Sequence, residues 1–361
     1  MEIAIAHDYL TQHGGAERVL DVFLDIFPSA ELYVLTYSEE FAKPNIHASF
    51  IKNLPKINYR NYMPLFPLAI RLMNIDADMI LSSSHAWVKN IKKRKGAVHI
   101  CYCHTPMRYA WDLSGFYVRR YNVLVRPLLK LFLSILRAWD KAGSKNVDYF
   151  IANSNCVAER IKNAYGRDSI VIPPPVDTSI FVPFKHPKRD YYLVVSRLIE
   201  YKRVDLAIEV FRKLDRELVV VGDGRDAKRL KKLARGCKNI SFKGFVNNKQ
   251  LVSLYQNAKA LIHPQIEDAG ITSLEAQSCG VPVVAFGRGG ATETVIEGKT
   301  GSFFYKQSAT SLRKAIESFE NHSIDSKLCR KNAKKYDVKV FKKRIQEFIK
   351  SKKWLERKKR G

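Results

Sequence analysis

Short runs of apolar and β-branched residues alternate along the chain with segments whose apolar residues recur every three or four positions. The short runs predict buried strands, and the longer period predicts helices with one apolar face. In the first half the predicted strands are 2–6, 32–36, 79–82, 98–102, 149–152 and 170–172. The predicted helices between them are 16–26, 65–73, 124–141 and 156–164. This alternation is typical of parallel sheets with helices on both faces.

Three consecutive prolines, Pro173, Pro174 and Pro175, interrupt the alternation. Neither a helix interior nor a central strand accommodates such a run. Beyond it the predicted strands are 192–195, 218–221, 240–242, 260–263 and 283–285. We therefore predict an α/β chain of two Rossmann-like domains that face each other across a cleft, with the ligand site at the carboxyl ends of the strands. The predicted divisions are a first domain, a linker, a second domain and a basic C-terminal helix or tail, at 1–173, 174–188, 189–338 and 339–361.

The composition is that of a folded protein, with 46% apolar and 27% charged residues among 361. No window approaches 18 uncharged apolar residues, and the N-terminus lacks the basic start and long apolar run of a signal peptide. We therefore expect a cytoplasmic protein without a spanning helix. The six cysteines form no CxxC pair, and Cys101 and Cys103 fall on one face of a predicted strand. Buried reduced thiols are the expected state.

The formal net charge of +27 is unusual, and about half of it lies near the C-terminus. Residues 327–361 hold 16 Lys and Arg against 3 acidic residues. Such a charge indicates a polyanionic partner, which could be nucleic acid, an anionic membrane surface or a phosphorylated substrate. A solvated lysine-rich surface, as in thermophiles, is the alternative. The segment 121–139 is apolar on a broad face with cations at intervals, and fits either a buried helix or one lying on a membrane.

Candidate chemistry follows several of the predicted strands. Gly14 and Gly15 open a helix, where backbone N–H groups and the helix dipole favour an anion. Arg197 and Lys202 follow another strand, so that both could meet a diphosphate.

Two carboxylates, Glu267 and Glu275, stand on either side of Gly270, which allows close backbone approach at a helix start. Eight residues of helix span roughly 12 Å, whereas paired glycosidase carboxyl groups stand about 5–9.5 Å apart. The spacing therefore favours binding over glycoside hydrolysis.

Two further motifs carry less weight. Gly222, Gly224 and Ala227 fit a dinucleotide-binding fingerprint after a strand, but the run 240–250 contains no acidic residue to bind a ribose. An oxidoreductase is therefore a minor alternative.

Asp76-x-Asp78 could hold a divalent metal, but no further carboxylates accompany it, and a solvated loop is preferred. Without a metal cluster, cations and N–H dipoles must stabilise any leaving diphosphate. We expect no obligatory metal or other cofactor.

Taken together, the segments 7–18, 196–202, 222–224, 267–275 and 285–294 resemble the family 4 retaining glycosyltransferases with the GT-B fold. The resemblance extends from residue 1 to about 340. A further stretch, 101–112, resembles the bacterial mannosyltransferase branch, which uses GDP-mannose or related GDP-sugars. The resemblance implies transfer of a hexose with retention, mannose from GDP-mannose being the expected donor. The implied acceptor is a saccharide or lipid-linked saccharide in the synthesis of O-antigen or another cell-surface polysaccharide.

The resemblance also implies roles for individual residues. Arg197 and Lys202 would bind the donor diphosphate in the second, nucleotide-sugar-binding domain. Glu267 would hold hydroxyl groups of the donor sugar, while Glu275 would hold the ribose. His104 would lie beside the transferred sugar in the first, acceptor-side domain. These assignments make Glu267, Arg197, Lys202 and His104 the candidate catalytic residues.

The remaining donor contacts are expected from backbone and small side chains. The base is expected against the backbone near residues 243–245, and N–H groups are expected from the helix starts. The candidate donor-binding residues are Gly14, Gly15, Gly244, Phe245, Gly270, Ile271 and Thr272, besides Glu275. Ala269 departs from the family, in which an aromatic residue is more common before the glycine, and this questions the packing of its loop.

A nucleic-acid-binding protein is the rival from another class, and only the net charge supports it. No zinc finger, RRM signature or other nucleic-acid module is present, so the basic tail would have to act alone. We therefore expect no nucleic acid among the partners. The expected partners are a nucleotide sugar, a saccharide or lipid-linked acceptor and an anionic membrane surface, which would make the protein peripheral on the inner face of the cytoplasmic membrane.

Overall fold

The structure is a computed structural model that describes residues 2–12, 14–55, 58–185, 187 and 190–351. The chain divides into two compact units, 1–173 and 174–361. Each unit contains a parallel sheet with its own helices, which confirms the predicted α/β class with two Rossmann-like domains.

The first unit is built on a seven-stranded sheet within its described residues. The strands are β1 (Ile3–His7), β2 (Glu31–Val34), β3 (Ile46–Ala48), β4 (Met79–Ser84), β5 (Val98–Cys103), β6 (Tyr149–Ala152) and β7 (Ser169–Val171). Their order is β3-β2-β1-β4-β5-β6-β7, and every neighbouring pair is parallel. The helices are α1 (Gly15–Ile26), α2 (Phe66–Leu72), α3 (Ser114–Val118), α4 (Arg126–Gly143) and α5 (Asn155–Tyr165).

The second unit has a six-stranded sheet within the part that the structure describes. The strands are β8 (Tyr191–Val195), β9 (Glu217–Val221), β10 (Ile240–Gly244), β11 (Ala258–His263), β12 (Val283–Phe286) and β13 (Gly301–Phe304). Their order is β10-β9-β8-β11-β12-β13, again parallel throughout. The helices are α6 (Val204–Phe211), α7 (Ala227–Leu233), α8 (Asn248–Asn257), α9 (Ile271–Ser278), α10 (Ala291–Thr294), α11 (Ala309–Glu320), α12 (Ser326–Lys334) and α13 (Val338–Lys350).

Local sequence accounts for where these elements begin and end. All six residues of β4 are buried, because a central parallel strand is covered on both faces. Helix α5 begins where Ser154 Oγ accepts the Val157 N–H at 3.1 Å, and it ends at Gly166 in the left-handed region, φ 69°. A capping box between Asn247 and Gln250 starts α8.

The structure differs from the predicted elements mainly in short segments. The sequence prediction missed β3 and β13, which have only three and four residues and lie at sheet edges. The predicted helix 124–141 is a short 3₁₀ helix, Val123–Val125, followed by α4. Pro127 lies in the first turn of α4, where its missing N–H costs no helical hydrogen bond.

The predicted linker and C-terminal tail are both packed in part. Val176 and Phe181, inside the predicted 174–188 linker, are buried in a core cluster of the second unit. Phe341 and Ile345 of α13 are only 2% and 0% exposed. Residues 338–350 are therefore an amphipathic helix with a buried side. Residues 352–361 lie outside the described residues.

Two expectations about the whole chain concern spanning helices and cysteines. None of the helices within the described ranges is both long and apolar enough to cross a membrane. All six cysteines are free, as predicted, and Cys101, Cys103, Cys279 and Cys329 are buried, whereas Cys156 and Cys237 are only partly buried, contrary to the prediction.

A buried ion pair joins α4 to the segment after β4. Lys89 Nζ lies 2.6 Å from Asp140 Oδ1, and both side chains are fully buried. Trp111 Nε1 and the Tyr165 hydroxyl each donate to Asp140 Oδ2 at 2.8 Å. Burial lowers the pKa of Lys89, but the charge and hydrogen bond of Asp140 outweigh it and raise that pKa above its ordinary value. The ammonium group therefore stays charged inside the unit.

We predict that Asp140→Ala lowers the free energy of unfolding by about 3–5 kcal/mol, because it leaves the Lys89 charge buried without a counter-ion. Urea denaturation followed by circular dichroism measures this. Asp168→Ala is the control, because Asp168 forms an exposed pair with Lys162 and its loss should leave the midpoint unchanged. Equal stabilities of the two variants would contradict a structural role for the buried pair.

Candidate functional site

In the first unit, polar side chains meet at the carboxyl ends of three neighbouring strands. His7 ends β1, Ser83 lies near the end of β4, and His104 directly follows β5. Ser83 Oγ lies 3.1 Å from His7 Nδ1 and 2.8 Å from His104 Nε2. The other His7 nitrogen, Nε2, lies 4.0 Å from Glu17 Oε1 in the first turn of α1. A polar chain of His7, Ser83 and the predicted site residue His104 therefore lies at this edge, with Glu17 of α1 beside it.

The electrostatics of this chain keep the imidazole of His104 neutral. Burial, with the neighbouring imidazoles of His85 and His7, lowers the pKa of His104 to about 3. Burial raises the pKa of Glu17, but the proximity of His7 outweighs burial and leaves that pKa below its ordinary value. Near neutral pH His104 can therefore offer a hydrogen bond without carrying charge.

The predicted anion-binding glycines adjoin the same chain. Gly14 is the N-cap of α1 in an extended conformation, and Gly15 is the first helical residue. A Cβ atom at position 14 would lie 2.8 Å from Glu17 Oε2. Glycine thus leaves room for the Glu17 carboxylate beside the helix start, where the helix dipole stabilises negative charge. Phosphate binding at this helix start stays a prediction.

Asp8 is the residue of this edge that sequence reasoning missed most completely. Its carboxylate is fully buried and accepts four consecutive backbone N–H groups, those of residues 85–88, at 2.6–2.8 Å. Burial raises the pKa of Asp8, but His85, His7 and the backbone donors outweigh it and lower that pKa. Asp8 therefore fixes the chain leaving β4 to the end of β1. The only sequence signal was a charged residue directly after a buried strand.

In the second unit, the adjacent strands β8 and β11 bring together two predicted site residues. Lys202 ends a 3₁₀ helix after β8, and Glu267 lies in the loop after β11. Lys202 Nζ donates to Glu267 Oε1, to which Gln265 Nε2 also donates at 3.1 Å. Burial raises the pKa of Glu267, but the charge of Lys202, the neighbouring His263 and the two hydrogen bonds outweigh burial and lower that pKa to about 2. The carboxylate is therefore ionised at neutral pH.

The polar contacts continue from this pair to the start of α9. Gln265 Nε2 lies 3.3 Å from His263 Nδ1, and Thr272 Oγ1 lies 3.5 Å from the same nitrogen. Burial lowers the pKa of His263 to about 4, so this imidazole is neutral. The network connects Thr272, a predicted donor-binding residue, with Glu267. Sequence reasoning did not identify Gln265 or His263 as members.

The loop that carries Glu267 rests on a second glycine-containing loop. The Gly290 N–H donates to the Glu267 carbonyl at 2.9 Å, and a Cβ atom at Gly290 would lie 2.5 Å from the Ala269 Cα. Gly270 has φ +70° and is the N-cap of α9, immediately before Ile271. Ala269 is 6% exposed. The loop is thus tightly packed although position 269 lacks the aromatic residue expected from the family.

The other predicted residues of the second unit have different surroundings. Arg197 is exposed, and no carboxylate of the described residues pairs with it. Phe245 is 76% exposed and follows Gly244, whose φ is +67°. Glu275 is only 2% exposed and accepts the Tyr255 hydroxyl at 2.8 Å. It is the fifth residue of α9, little more than one turn into the helix, so the assumption of eight helical residues up to Glu275 was wrong. Its ribose contact stays a prediction.

Local packing explains the glycines of the dinucleotide-like fingerprint. A Cβ atom at Gly222 would lie 2.0 Å from the Ser196 carbonyl oxygen, and one at Gly224 would lie 2.3 Å from that of Leu198. The two loops after β8 and β9 can therefore approach only with glycine at these positions. This requirement accounts for the motif without a dinucleotide.

The two aspartates of the Asp76-x-Asp78 motif form ion pairs with Arg94. Arg94 Nη1 lies 2.7 Å from Asp76 Oδ1, and Arg94 Nη2 donates to Asp78. Asp78 also accepts the Glu2 N–H at 3.1 Å. Within the described ranges, no group of three or more His, Cys, Asp or Glu side chains could hold a metal ion.

Two family models match consecutive parts of the chain. Glycosyltransferase Family 4 matches residues 13–180, and Glycosyl transferases group 1 matches residues 176–336. An uncharacterized glycosyltransferase of Methanocaldococcus jannaschii is 32% identical, over 95% of both chains. A GDP-mannose-dependent alpha-(1-6)-phosphatidylinositol monomannoside mannosyltransferase of Mycolicibacterium smegmatis is 30% identical, over 41% of this chain and 47% of the relative.

Solved structures share the fold at low sequence identity. Sucrose-phosphate synthase from Thermosynechococcus elongatus matches with a TM-score of 0.76 and 15% identity, over 97% of this chain and 98% of that one. HepE of Anabaena in complex with UDP and glucose matches with a TM-score of 0.72 and 18% identity, over 98% and 100%. These matches confirm the predicted GT-B fold.

We predict that Glu267→Gln destabilises the chain by about 2–3 kcal/mol at pH 7 and by on the order of 1 kcal/mol at pH 3. The folded pKa near 2 lies below the ordinary value of 4.5. The ionised carboxylate thus stabilises the fold above pH 4.5, and this contribution is lost as the pH falls towards 2. Urea denaturation of both proteins between pH 3 and 7 measures the difference.

Glu317→Gln is the matched control, because Glu317 forms a half-exposed pair with Arg313 and should matter little at any pH. A destabilisation by Glu267→Gln that does not vary with pH would show that the carboxylate is not held ionised by its neighbours.

Proposed function

The chain belongs to the family 4 glycosyltransferases, and we propose that it transfers mannose from GDP-mannose, with retention, to a saccharide or lipid-linked saccharide acceptor. One observation carries the proposal. The chain presents an ionised carboxylate, Glu267, against the Lys202 ammonium group at the ends of two adjacent strands, β8 and β11. A sugar diphosphate needs both a cation for its phosphates and an acceptor for its hydroxyl groups.

The proposed reaction breaks the bond between the anomeric carbon and the diphosphate oxygen. The electron pair leaves with GDP, the acceptor oxygen bonds to the same carbon on the same face, and the acceptor proton passes to the released phosphate or to solvent. Negative charge therefore grows on the diphosphate as the bond breaks. Lys202 and the exposed Arg197 are the cations proposed to stabilise that charge, together with the N–H groups of Gly270, Ile271 and Thr272.

Glu267 is suited to hold the donor sugar because of how its oxygens are occupied. Lys202 and Gln265 both donate to Oε1, and no side chain among the described residues donates to Oε2. An ionised carboxylate oxygen accepts hydrogen bonds from hydroxyl groups strongly. We assign to Oε2 the contact with the sugar hydroxyls, while Lys202 keeps the carboxylate charged and oriented.

The remaining predicted contacts are part of the proposal. The neutral imidazole of His104 is assigned a hydrogen bond to the transferred sugar, and the helix start at Gly14 and Gly15 a contact with the diphosphate. Phe245, exposed beside Gly244, is assigned to the base. Glu275 is assigned to the ribose.

The choice of mannose and GDP rests on two similarities. The stretch 101–112 resembles the mannosyltransferase branch, and the Mycolicibacterium smegmatis relative is named as GDP-mannose-dependent. No metal, other cofactor or nucleic acid is part of the proposal. The proposed location is the cytoplasmic side of the membrane.

We predict that GDP-mannose raises the Tm by about 3–6 °C at a concentration near 100 times its Kd, because a ligand of the folded state stabilises it. Thermal-shift measurements with GDP-mannose, UDP-glucose, UDP-galactose and ADP-glucose rank the donors. The GDP-mannose shift should persist in excess EDTA. A larger shift with a UDP-sugar would reject the proposed donor, and a shift that requires Mg²⁺ would reject metal independence.

We predict that Arg197→Ala, Lys202→Ala and Glu267→Ala each lower the transfer rate about 10²–10³-fold, or roughly 3–4 kcal/mol, because the first two remove a cation from the leaving diphosphate and the third removes the contact that orients the sugar. Initial rates of GDP release at saturating GDP-mannose measure the effect. Lys299→Ala removes an exposed cation elsewhere and is the matched control. Near-normal rates in all three variants would refute the proposed site.

A further inference from the structure

Helix α4 of the first unit has an exposed apolar side. Leu128, Leu131 and Ile135 are 68%, 59% and 61% exposed. Their spacing of three and four residues places them in one stripe along the helix. On the opposite side, Leu133 and Leu136 are buried. The helix is therefore apolar on both its inner and its outer side.

The exposed stripe continues into the turn before α4. Leu124, in the 3₁₀ helix Val123–Val125, is 87% exposed. Its neighbours Val123 and Val125 are 66% and 45% exposed, and Tyr121 is 54% exposed. This turn leaves its largest apolar side chains in solvent, which folding alone does not favour.

Helix α2 adds a second stripe on the same side of the sheet. Leu68 and Leu72 are 51% and 63% exposed. The inner sides of α2 and α4 share one core, in which the Trp87 ring lies 5.1 Å from Phe66 and 5.7 Å from Trp139. Because both helices cover the same face of the sheet, their outer sides point away from it in the same general direction.

We call this surface the leucine face and define it by Leu68, Leu72, Leu124, Leu128, Leu131 and Ile135. Single exposed leucines are normal on a protein surface. Two exposed apolar stripes on helices that cover one side of a sheet indicate an interaction site.

The helix and turn segments that carry the leucine face contain charges of one sign only. The sequence has no Asp or Glu between residues 54 and 75, or between 113 and 139, although the chain contains 35 of them. Arg71, Arg119 and Lys130 are exposed within these stretches. A second copy of the chain would bring cations against cations, which disfavours a symmetric dimer through this face. An apolar surface with cations and no acidic groups is instead complementary to a surface of anionic headgroups over hydrocarbon.

We propose that the leucine face docks the first unit on an anionic lipid bilayer. The leucines enter the boundary between headgroups and acyl chains, while Arg71, Arg119 and Lys130 reach the phosphate groups with their apolar stems alongside. Tyr121 lies at the level of the headgroups, which aromatic side chains favour. The proposal concerns a surface separate from the proposed donor site and does not rest on the reaction.

Vesicle flotation with the full chain tests the proposal. The expected result is binding to phosphatidylcholine vesicles that contain one third phosphatidylglycerol, and little binding to phosphatidylcholine alone. The triple variant L128Q/L131Q/I135Q should lower the apparent affinity at least tenfold. The control I170Q/I296Q/L328Q, which changes three exposed aliphatic residues on other elements, should bind as the unchanged chain does.

A second variant separates the charge contribution. R71Q/R119Q/K130Q should also weaken binding at least tenfold at about 0.1 M salt, and the unchanged chain should lose affinity as salt rises. All substituted positions are exposed, and circular dichroism with a Tm measurement verifies that each variant is folded.

Three results would overturn the proposal. The leucine variant could bind as tightly as the unchanged chain. Deletion of residues 352–361 could abolish binding while the leucine variant has no effect, which would assign binding to the C-terminal tail. The chain could ignore vesicles and form a dimer that the leucine variant dissociates, which would show that a second copy covers the face.

Discussion

Parallel strand pairing is the constraint on which the arrangement of this chain depends. Every strand of a parallel sheet ends at the same edge, and the chain must cross back outside the sheet before the next strand begins. Residues that are far apart in sequence but directly follow strands therefore become neighbours. His7, Ser83 and His104 meet in this way in the first unit, and Lys202 and Glu267 meet in the second.

The same edges require buried charge to be compensated. Asp8 has four backbone donors, and Glu267 has an ammonium group and an amide. In each case burial alone raises the pKa of the carboxylate, whereas the donors lower it. The compensated charges also fix geometry, since moving a buried carboxylate away from its donors raises the free energy of the folded state. The same donors therefore keep each carboxylate ionised and hold its loop in place.

The sequence allowed prediction of what depends on local pattern. Strand β6 was predicted at 149–152, where the structure has it, because a short apolar run is bounded by polar residues. The residues of contiguous motifs, such as Lys202 and Glu267, could be singled out for the same reason. The partners of Asp8 could not be predicted, because they lie 77–80 residues away and are backbone groups, which every residue except proline supplies. Ser83 could not be identified either, because one serine in a buried strand looks like its neighbours until the register is known.

Helix α4 of the first unit contributes both to the buried core and to the exposed leucine face. The chain leaving β4 is held at residues 85–88 by Asp8 and, one residue later, by the pair between Lys89 and Asp140 of α4. Helix α4 is thus joined through buried charges to the strand edge that carries Ser83 and His104, while its outer side belongs to the leucine face. A bilayer bound to that face would therefore be connected to the polar edge through these buried contacts. The position of His104 relative to a membrane-borne acceptor would follow from packing within this unit alone.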